Sequence, residues 1–274
     1  MAVCYTDIPA YHTNGEFAMI ISIANNKGGT GKTTTAVNLG AAIAEKDFSI
    51  LEVDLDPQGN LSINLGVEIN ELSQTIYDVL LNPESIQIKS VILHDLSGMD
   101  LAPANIDLSG ATVELMNEIS RETILSKALS PVKNSYDFIL IDCPPNLGLL
   151  TLNALTAADL VIVPVQTEYL AMRSIKELMN IINKVKERTN PELSMRLLCT
   201  MFDKRTVHGR DVIEELREVF GHQVFDTVIT RTIKFADASV AAEPILTYAN
   251  LSEAAEQYRS LAKEVISYVQ ERKS

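Results

Sequence analysis

Cysteines, long apolar runs and targeting segments are scarce or missing in this sequence. Three cysteines are scattered over 274 residues, which argues against a disulfide framework and against a paired-cysteine metal site. No apolar run approaches the roughly 18–20 residues that cross a bilayer. The N-terminal stretch MAVCYTDIPAYHTNGEF has neither the basic start nor the apolar stretch of a signal peptide. We therefore expect a soluble cytoplasmic protein with no membrane partner.

Basic residues are also fewer than acidic residues in this chain. The chain carries 23 Lys and Arg against 36 Asp and Glu, for a formal net charge of -13. This balance excludes a surface that is basic throughout, so any contact with nucleic acid must come from a local patch. The length, with 46% hydrophobic residues, suits one large α/β domain or two small ones. Because the chain has no linker rich in Pro, Gly or Ser and no internal repeat, one domain is favoured.

Apolar segments bounded by turn residues alternate with segments of helical period. This alternation is typical of an α/β fold with a mostly parallel twisted sheet flanked by helices on both faces. Apolar residues at 3–4 spacing within 175–185 and 251–269 predict two amphipathic helices whose apolar stripes belong to the core. Residues 67–110 are less regular and are interpreted as a helix followed by short strands. The predicted strands are 19–24, 50–53, 138–141, 160–165 and 195–200.

The first predicted strand begins only at residue 19. Residues 1–18 are therefore expected to form an N-terminal extension, either a true extension or the product of a misplaced start codon. Chain termini that are not held in a sheet are commonly disordered. We expect the folded domain to start at residue 19.

The stretch NNKGGTGKTT, residues 25–34, predicts a phosphate-binding loop. It follows an apolar strand and precedes a helical segment, and its glycines allow successive N–H groups to converge on an anion. In such a loop Lys32 lies along the β- and γ-phosphates, and the Thr33 hydroxyl ligates Mg²⁺. The predicted nucleotide-binding set in this loop is Lys27, Gly28, Gly29, Thr30, Gly31, Lys32, Thr33 and Thr34.

This loop departs from the common pattern G-x-x-x-x-G-K-[ST] at its first position. Asn26 stands where the first glycine is expected, and Lys27 adds a second cation ahead of Gly28. The pattern alone does not explain why the loop needs two lysines.

Three aspartates stand at predicted strand ends. Asp142 closes the run FILID, where an open α/β sheet binds its ligand and where a Walker B aspartate holds magnesium through water. Asp54 and Asp56 end the strand in LEVDLDPQGN, and the alternation of a strand puts both on one side. One of the two can position water. The alternative is that these residues cap helices or form turns.

Five blocks in this order resemble the deviant-Walker ATPases of the ParA type, close to the Soj branch. The blocks are KGGTGKTT, LEVDLDPQGN, YDFILIDCPPNLGLLTLNAL, VIVPVQTEYLAM and CTMFDKRT. The resemblance runs from about residue 19 to the C-terminus and implies a single P-loop ATPase domain over residues 19–274. It also implies ATP and Mg²⁺ as cofactors and a homodimer when ATP is bound.

In this family the extra lysine, here Lys27, reaches across the dimer and touches the partner's phosphates. A lysine supplied in this way neutralises charge on the transferred phosphoryl group, as an arginine finger does. The resemblance further implies that Asp56 orients or activates the attacking water. It assigns Lys32 and the loop amides to phosphate, and it assigns Thr33, Asp54 and Asp142 to Mg²⁺.

The resemblance also implies which residues contact the adenine base and which contact DNA. Family members hold adenine between the MFD segment and a later segment that reads ITRT here and usually IPRN, which makes Met201, Asp203, Thr230 and Thr232 candidates. ParA-type dimers bind DNA without sequence preference through exposed basic residues, and the matching positions are Arg205, Arg231 and Lys234. The next segment reads FADASVAAEP where relatives have a proline, a glycine and often a basic residue, and Glu243 stands in place of that basic residue. The alternative is that these cations are ordinary solvated charges.

The resulting hypothesis is a nucleoid-associated partition ATPase whose cargo is a plasmid, a chromosome origin or a protein body. A ParB-like or adaptor protein on the cargo would stimulate hydrolysis. One alternative is a membrane-cycling ATPase of the MinD type, although the C-terminal SYVQERKS has little apolar moment. The other is a metabolic or assembly enzyme of the same fold, such as a cofactor ligase.

Overall fold

A computed structural model describes residues 18–168 and 171–273. Its centre is an eight-stranded sheet in the order β3-β4-β2-β5-β1-β6-β7-β8. All neighbouring strands are parallel except β3 and β4, which pair antiparallel at one edge. The strands are β1 Met19–Ile23, β2 Ile50–Asp54, β3 Leu93–Leu96, β4 Met99–Ala102, β5 Phe138–Asp142, β6 Leu160–Gln166, β7 Ser194–Phe202 and β8 Val224–Thr230.

Helices connect the strands and cover both faces of the sheet. They are α1 Lys32–Ala44, α2 Asn60–Asn64, α3 Ile76–Leu81, α4 Leu108–Glu114, α5 Ile124–Leu129, α6 Leu149–Ala157, α7 Ala171–Arg188, α8 Val207–Phe220, α9 Lys234–Val240, α10 Ile245–Tyr248 and α11 Glu253–Lys273. Among the described residues, no helix is long and apolar enough to cross a membrane.

Two apolar cores lie on opposite faces of the sheet because successive strand residues point to opposite sides. In β5, Ile139 and Ile141 pack into the core that α3 to α8 cover. Phe138 and Leu140 pack into the core that α1, α10 and α11 cover. Both faces of the central strands are buried, which accounts for their nearly continuous apolar sequence.

The predicted fold class is confirmed. All five predicted strands are present, and the largest difference at an end is residue 200 against the observed Phe202. The helix and short strands predicted within 67–110 correspond to α3, β3 and β4. The sequence interpretation missed β8, an edge strand that is only partly buried, because VFDTVIT lacks a continuous apolar run.

The two predicted amphipathic helices correspond to α7 and α11. Their stripes are largely buried, with Ile175 and Leu178 of α7 each 1% exposed. Leu251 is an exception, because it is 96% exposed and precedes α11. Its assignment to the core was wrong, since the helical spacing does not extend to a residue outside the helix. Of the predicted extension, residues 1–17 lie outside the described residues.

Candidate active site

The predicted phosphate loop lies at the carboxyl end of the sheet, between the central strand β1 and helix α1. Gly29 and Gly31 have φ angles of 71° and 91°, in the left-handed region that favours glycine. Gly31 is also the N-cap of α1. The helix N-terminus and the loop N–H groups together form the kind of environment that binds phosphate.

Lys32 is the first residue of α1 and is 7% exposed. Its Nζ donates a long hydrogen bond of 3.4 Å to the carbonyl oxygen of Lys27. Burial lowers the pKa of Lys32, whereas the charges of Asp142, Cys143 and Asp56 oppose that change. A buried cation beside the glycine loop fits a polyanionic ligand such as a triphosphate.

Thr33 and Asp142 form the part of the site that suits a magnesium ion. Thr33 Oγ1 donates a 2.6 Å hydrogen bond to Asp142 Oδ2. Asp142 is fully buried, and its Oδ1 has no hydrogen-bond partner. Burial raises the pKa of Asp142 well above its ordinary value, and the charge of Asp54 raises it further, against the Thr33 hydrogen bond and the Lys32 charge.

A hydroxyl and a carboxylate oxygen are ligands that Mg²⁺ prefers, and an unpartnered buried carboxylate oxygen fits a cation. The described residues contain no cluster of three or more His, Cys, Asp or Glu side chains that could hold a metal ion. Mg²⁺ in nucleotide sites commonly takes one or two protein ligands and completes its shell with phosphates and water. Thr33 and Asp142 therefore fit this ion when a nucleotide supplies the other oxygens.

Asp54 and Asp56 are both buried but have different surroundings. Asp54 Oδ2 accepts hydrogen bonds from Ser62 N and Ser62 Oγ at 2.9 and 2.7 Å, and its Oδ1 accepts one from Asp56 N at 3.2 Å. Burial raises the pKa of Asp54 to about 6, although these donors lower it. Because three donors already fill most of its acceptor capacity, Asp54 suits a supporting role behind the metal rather than direct ligation.

Asp56 is 7% exposed and lies at the beginning of the loop that leads to α2. Its Oδ1 accepts a hydrogen bond of 3.0 Å from Gln58 N. A carboxylate with remaining acceptor capacity at the edge of the phosphate site can hold a water molecule.

Glu52 is a buried carboxyl group that the sequence interpretation left unassigned. It lies in β2, two residues before Asp54, and neither of its oxygens has a hydrogen-bond partner. Burial raises its pKa well above the ordinary value of 4.5, and the charges of Asp142 and Asp54 add to the rise. Gly40 of α1 makes room for it, since a Cβ atom at Gly40 would lie 2.1 Å from Glu52 Oε1.

Lys27 is anchored to the end of β6. Its Nζ donates hydrogen bonds of 2.7 Å to Gln166 Oε1 and 2.9 Å to Glu168 Oε2. Gln166 Nε2 also donates a 2.6 Å hydrogen bond to the Gly29 carbonyl oxygen. Lys27 and the glycine loop are thus both hydrogen-bonded to residues at or just after the carboxyl end of β6.

A cavity of about 410 Å³ lies beside the phosphate loop. Met201, Thr230 and Thr232, predicted to hold adenine, line it together with Gly31 and Thr34 of the loop region. Met201 has a φ of 53°, a left-handed conformation that is uncommon for a residue with a side chain. The cavity has the position and size expected for the base and ribose of a bound nucleotide.

Asp203 differs from the other adenine candidates because it does not line this cavity. Its Oδ1 accepts a hydrogen bond of 2.9 Å from Arg205 Nε, and its Oδ2 accepts one of 2.7 Å from Arg205 Nη2. These bonds hold the pKa of Asp203 well below its usual range. That Asp203 contacts the base stays a prediction, and in this structure its carboxylate is paired with Arg205.

The three predicted DNA-contacting cations follow the carboxyl ends of β7 and β8 in the sequence. Arg205, Arg231 and Lys234 are all exposed. Arg231 N donates a 3.0 Å hydrogen bond to the Phe202 carbonyl oxygen, which connects the two segments. Arg231 also lines the cavity, whereas the guanidinium of Arg205 is paired with Asp203.

Comparison with known proteins gives the family. The AAA domain family matches residues 18–195. The sporulation initiation inhibitor protein Soj of Bacillus subtilis is 46% identical over 247 residues, which cover 90% of this chain and 97% of Soj. The chromosome partitioning protein ParA of Myxococcus xanthus is 44% identical over 250 residues, covering 90% of this chain and 87% of that protein. The chain belongs to the ParA/MinD superfamily.

Membership of the ParA/MinD superfamily confirms the prediction of a P-loop ATPase. Among solved structures, a cobyrinic acid a,c-diamide synthase from Mycobacterium smegmatis with bound ATP analog and magnesium is 37% identical. It has a TM-score of 0.82, and the match covers 92% of this chain and 96% of that one. The expectation of ATP and Mg²⁺ is thus confirmed at the level of the superfamily.

Gln166 and Glu168 are the site residues that the sequence interpretation missed. Both stand in the block VIVPVQTEYLAM, which contributed to the resemblance without any residue receiving a role. The signal was their position just after a predicted strand, because ligands bind outside the carboxyl ends of strands in open α/β sheets. What could not be inferred was that β6 lies directly beside β1.

Proposed function

We propose that this chain is a partition ATPase that forms a homodimer when ATP is bound and binds DNA without sequence preference in that state. A ParB-like or adaptor protein on the cargo stimulates hydrolysis, and the dimer then releases the DNA. The protein is cytoplasmic and associates with the nucleoid through this cycle. The observation that carries the proposal is a second lysine beside a complete phosphate loop in a chain that is 46% identical to Soj.

The site residues take distinct roles in this proposal. Lys32 and the loop N–H groups bind the phosphates. Thr33 and Asp142 hold Mg²⁺, which when bound neutralises phosphate charge. Asp56 orients the attacking water and accepts its proton. Lys27 of each subunit stabilises the charge that develops in the partner's pocket.

The DNA contact is proposed at Arg205, Arg231 and Lys234. These three exposed cations are proposed to act as a local basic patch on a chain of net charge -13, because a patch suffices for non-specific binding to phosphates. The pairing of Arg205 with Asp203 reduces its charge toward DNA, so Arg231 and Lys234 carry more of the contact.

DNA retention measured with ATP, with ADP and without nucleotide, each over a series of salt concentrations, tests the proposal. We expect retention only with ATP and a loss of affinity as salt rises, because phosphate contacts release counterions. Equal retention in all three nucleotide conditions would contradict an ATP-dependent DNA-binding dimer. Liposomes of anionic lipid serve as the second surface in the same assay, and binding to them instead of DNA would favour a membrane-cycling ATPase of the MinD type.

A cofactor ligase remains a second candidate because of the similarity to the cobyrinic acid a,c-diamide synthase. The two functions differ in what drives turnover. ATP hydrolysis by a partition ATPase depends on DNA and a protein activator, whereas a ligase hydrolyses ATP only when its acid substrate and a nitrogen donor are present. Turnover measured with cobyrinic acid and either glutamine or ammonia separates the two.

A further inference from the structure

The ammonium group of Lys27 is held by its own subunit in this structure. It donates to the amide oxygen of Gln166 at 2.7 Å and to the carboxylate of Glu168 at 2.9 Å. An ammonium group has three N–H donors, so these two contacts occupy most of its hydrogen-bonding capacity. A lysine held in this way has one N–H donor left, so it can direct its full hydrogen-bonding capacity at a phosphate in another subunit only by giving up both contacts.

The two partners of Lys27 differ in what they contribute. Gln166 is neutral and also supports the loop through the carbonyl oxygen of Gly29. Glu168 is the charged partner, and its contact with Lys27 is the single ion pair found for it among the described residues. Glu168 therefore supplies the electrostatic part of the restraint.

We propose that Glu168 is a positioning residue that retains Lys27 in its own subunit and thereby opposes its delivery to the partner's pocket. This inference rests on the proposed function, in which Lys27 acts across a dimer. Glu168 touches neither the nucleotide nor the attacking water in this proposal. It acts by competing with the partner's phosphates for the lysine.

The expected size of the effect follows from exposure. The Lys27 and Glu168 side chains are 46% and 64% exposed. Ion pairs between side chains as exposed as these contribute little to stability, so the loss of this pair should shift the equilibrium between held and released Lys27 by roughly 1.4- to 5-fold. A dimer contains two such lysines, so removing the charge of Glu168 should favour the ATP-bound dimer by roughly 2- to 25-fold.

Glu168→Gln is the test variant, because it keeps the shape of the side chain and removes its charge. Glu187→Gln is the matched control, since Glu187 lies on an exposed position of α7 and has no ion pair within the described part of the chain. The first measurement is independent of dimer formation. It is the rate at which a limiting amount of an amine-reactive ester labels Lys27 without added nucleotide, read from the Lys27 peptide by mass spectrometry.

We expect faster labelling of Lys27 in Glu168→Gln and an unchanged rate in Glu187→Gln. Equal rates in wild type and both variants overturn the proposal, because Glu168 then does not restrain the lysine. The labelling of Lys89, at an exposed position outside the site, is the internal standard for the reagent. The labelling of the buried Lys32 reports whether the variant has changed the fold.

The second measurement follows dimer formation and turnover with ATP in wild type, Glu168→Gln, Lys27→Ala and the double variant. We expect Glu168→Gln to form dimers at lower protein concentration and to raise unstimulated turnover, and we expect no effect of Glu168→Gln in the Lys27→Ala background. If Lys27→Ala is inactive but the turnover of Glu168→Gln is equal to or below that of wild type, only the role of Glu168 is contradicted. Wild-type turnover in Lys27→Ala contradicts the proposed function itself and the inference with it.

Discussion

At the scale of single residues, buried charge is the main feature of the site. Lys32, Asp54, Asp56 and Asp142 are each no more than 7% exposed, and the three carboxylates outnumber the one cation. Burying charged groups without compensation is costly. The energetic cost is offset when a nucleotide brings phosphates to Lys32 and a magnesium ion to Asp142.

Lys32→Ala should weaken ATP binding by roughly 1.5–3 kcal/mol, because the phosphates lose a charged hydrogen-bond donor. Equilibrium binding of a fluorescent ATP analogue measures this loss. Lys89→Ala is the matched control, since Lys89 is exposed and lies outside the site. Unchanged affinity in Lys32→Ala would show that the loop does not bind phosphate in the predicted way.

The residues of the site were predictable from the sequence to different degrees. The loop glycines and Lys32 are brought together as expected, because the order strand, loop and helix fixes where they meet. Asp142 joins them from the end of β5, where the carboxyl ends of parallel strands were expected to form the ligand site. Gln166 was not predicted because its contact depends on which strand lies beside β1. The pairing of Asp203 with Arg205 was not predicted either, since it depends on side-chain geometry within one loop.

At the scale of elements, strand β2 and helix α1 meet at an unusual contact. Glu52 of β2 projects toward Gly40 of α1 within an apolar core. Its oxygens lack hydrogen-bond partners, and unpaired buried polar groups cost roughly 1–3 kcal/mol in proteins. Because burial raises the pKa of Glu52 well above 4.5, the folded state retains a proton that the unfolded state loses.

This proton makes folding stability depend on pH in a defined direction. The contribution of protonated Glu52 is fully present below its unfolded pKa, and it is lost as pH rises toward its raised folded pKa. We expect Glu52→Leu to raise the free energy of unfolding at neutral pH by about 1–3 kcal/mol. We also expect it to flatten the decline in stability with rising pH.

Urea unfolding of wild type, Glu52→Leu and Glu52→Gln at several pH values measures these effects. Glu52→Gln is the matched control, because it removes the titration but leaves an unpaired polar group. It should flatten the pH profile without the full gain in stability. A wild-type profile that is already flat above pH 5 would contradict the assignment of a protonated Glu52.

The elements themselves were predictable where their apolar runs are long. The central strands β1, β5 and β6 are buried on both faces, so their sequences are distinctive. Edge strand β8 mixes buried, partly buried and exposed residues and was missed. The order of strands across the sheet could not be inferred from apolar runs, because it depends on contacts between segments that are distant in the chain.

At the scale of the whole molecule, an acidic protein is proposed to bind an acidic polymer. The net charge of -13 opposes the approach of DNA, so a local basic patch must outweigh it at short range. In the proposed function, the ATP-bound dimer would carry two such patches, so we expect binding to DNA to require ATP.

Charge reversal of the patch should reduce DNA retention without reducing ATP binding. We expect Lys234→Glu, and more strongly Lys234→Glu with Arg205→Glu, to weaken retention and to lower the steepness of its salt dependence, because fewer phosphates are contacted. Lys89→Glu is the control for the same change in net charge at another exposed position. If all three variants lose DNA binding equally, total charge rather than the patch is responsible.

The central claim is that Lys27 of one subunit completes the pocket of the other, and mixing two inactive variants tests it most directly. Lys27→Ala lacks the lysine that we propose is donated, and Asp56→Ala lacks the group that we propose orients water, so each alone should lose roughly a hundredfold or more of its turnover. In a mixed dimer, the pocket of the Lys27→Ala subunit keeps Asp56 and receives Lys27 from its partner.

Turnover of an equimolar mixture should therefore return to about a quarter of the wild-type value, because about half of randomly formed dimers are mixed and one pocket in each is complete. Lys32→Ala mixed with Lys27→Ala, at an ATP concentration that saturates only subunits with an intact Lys32, is the control, since a subunit without bound ATP should not form the dimer. A mixture of Lys27→Ala and Asp56→Ala that stays as inactive as its components would contradict the account, because Lys27 would then act only within its own subunit.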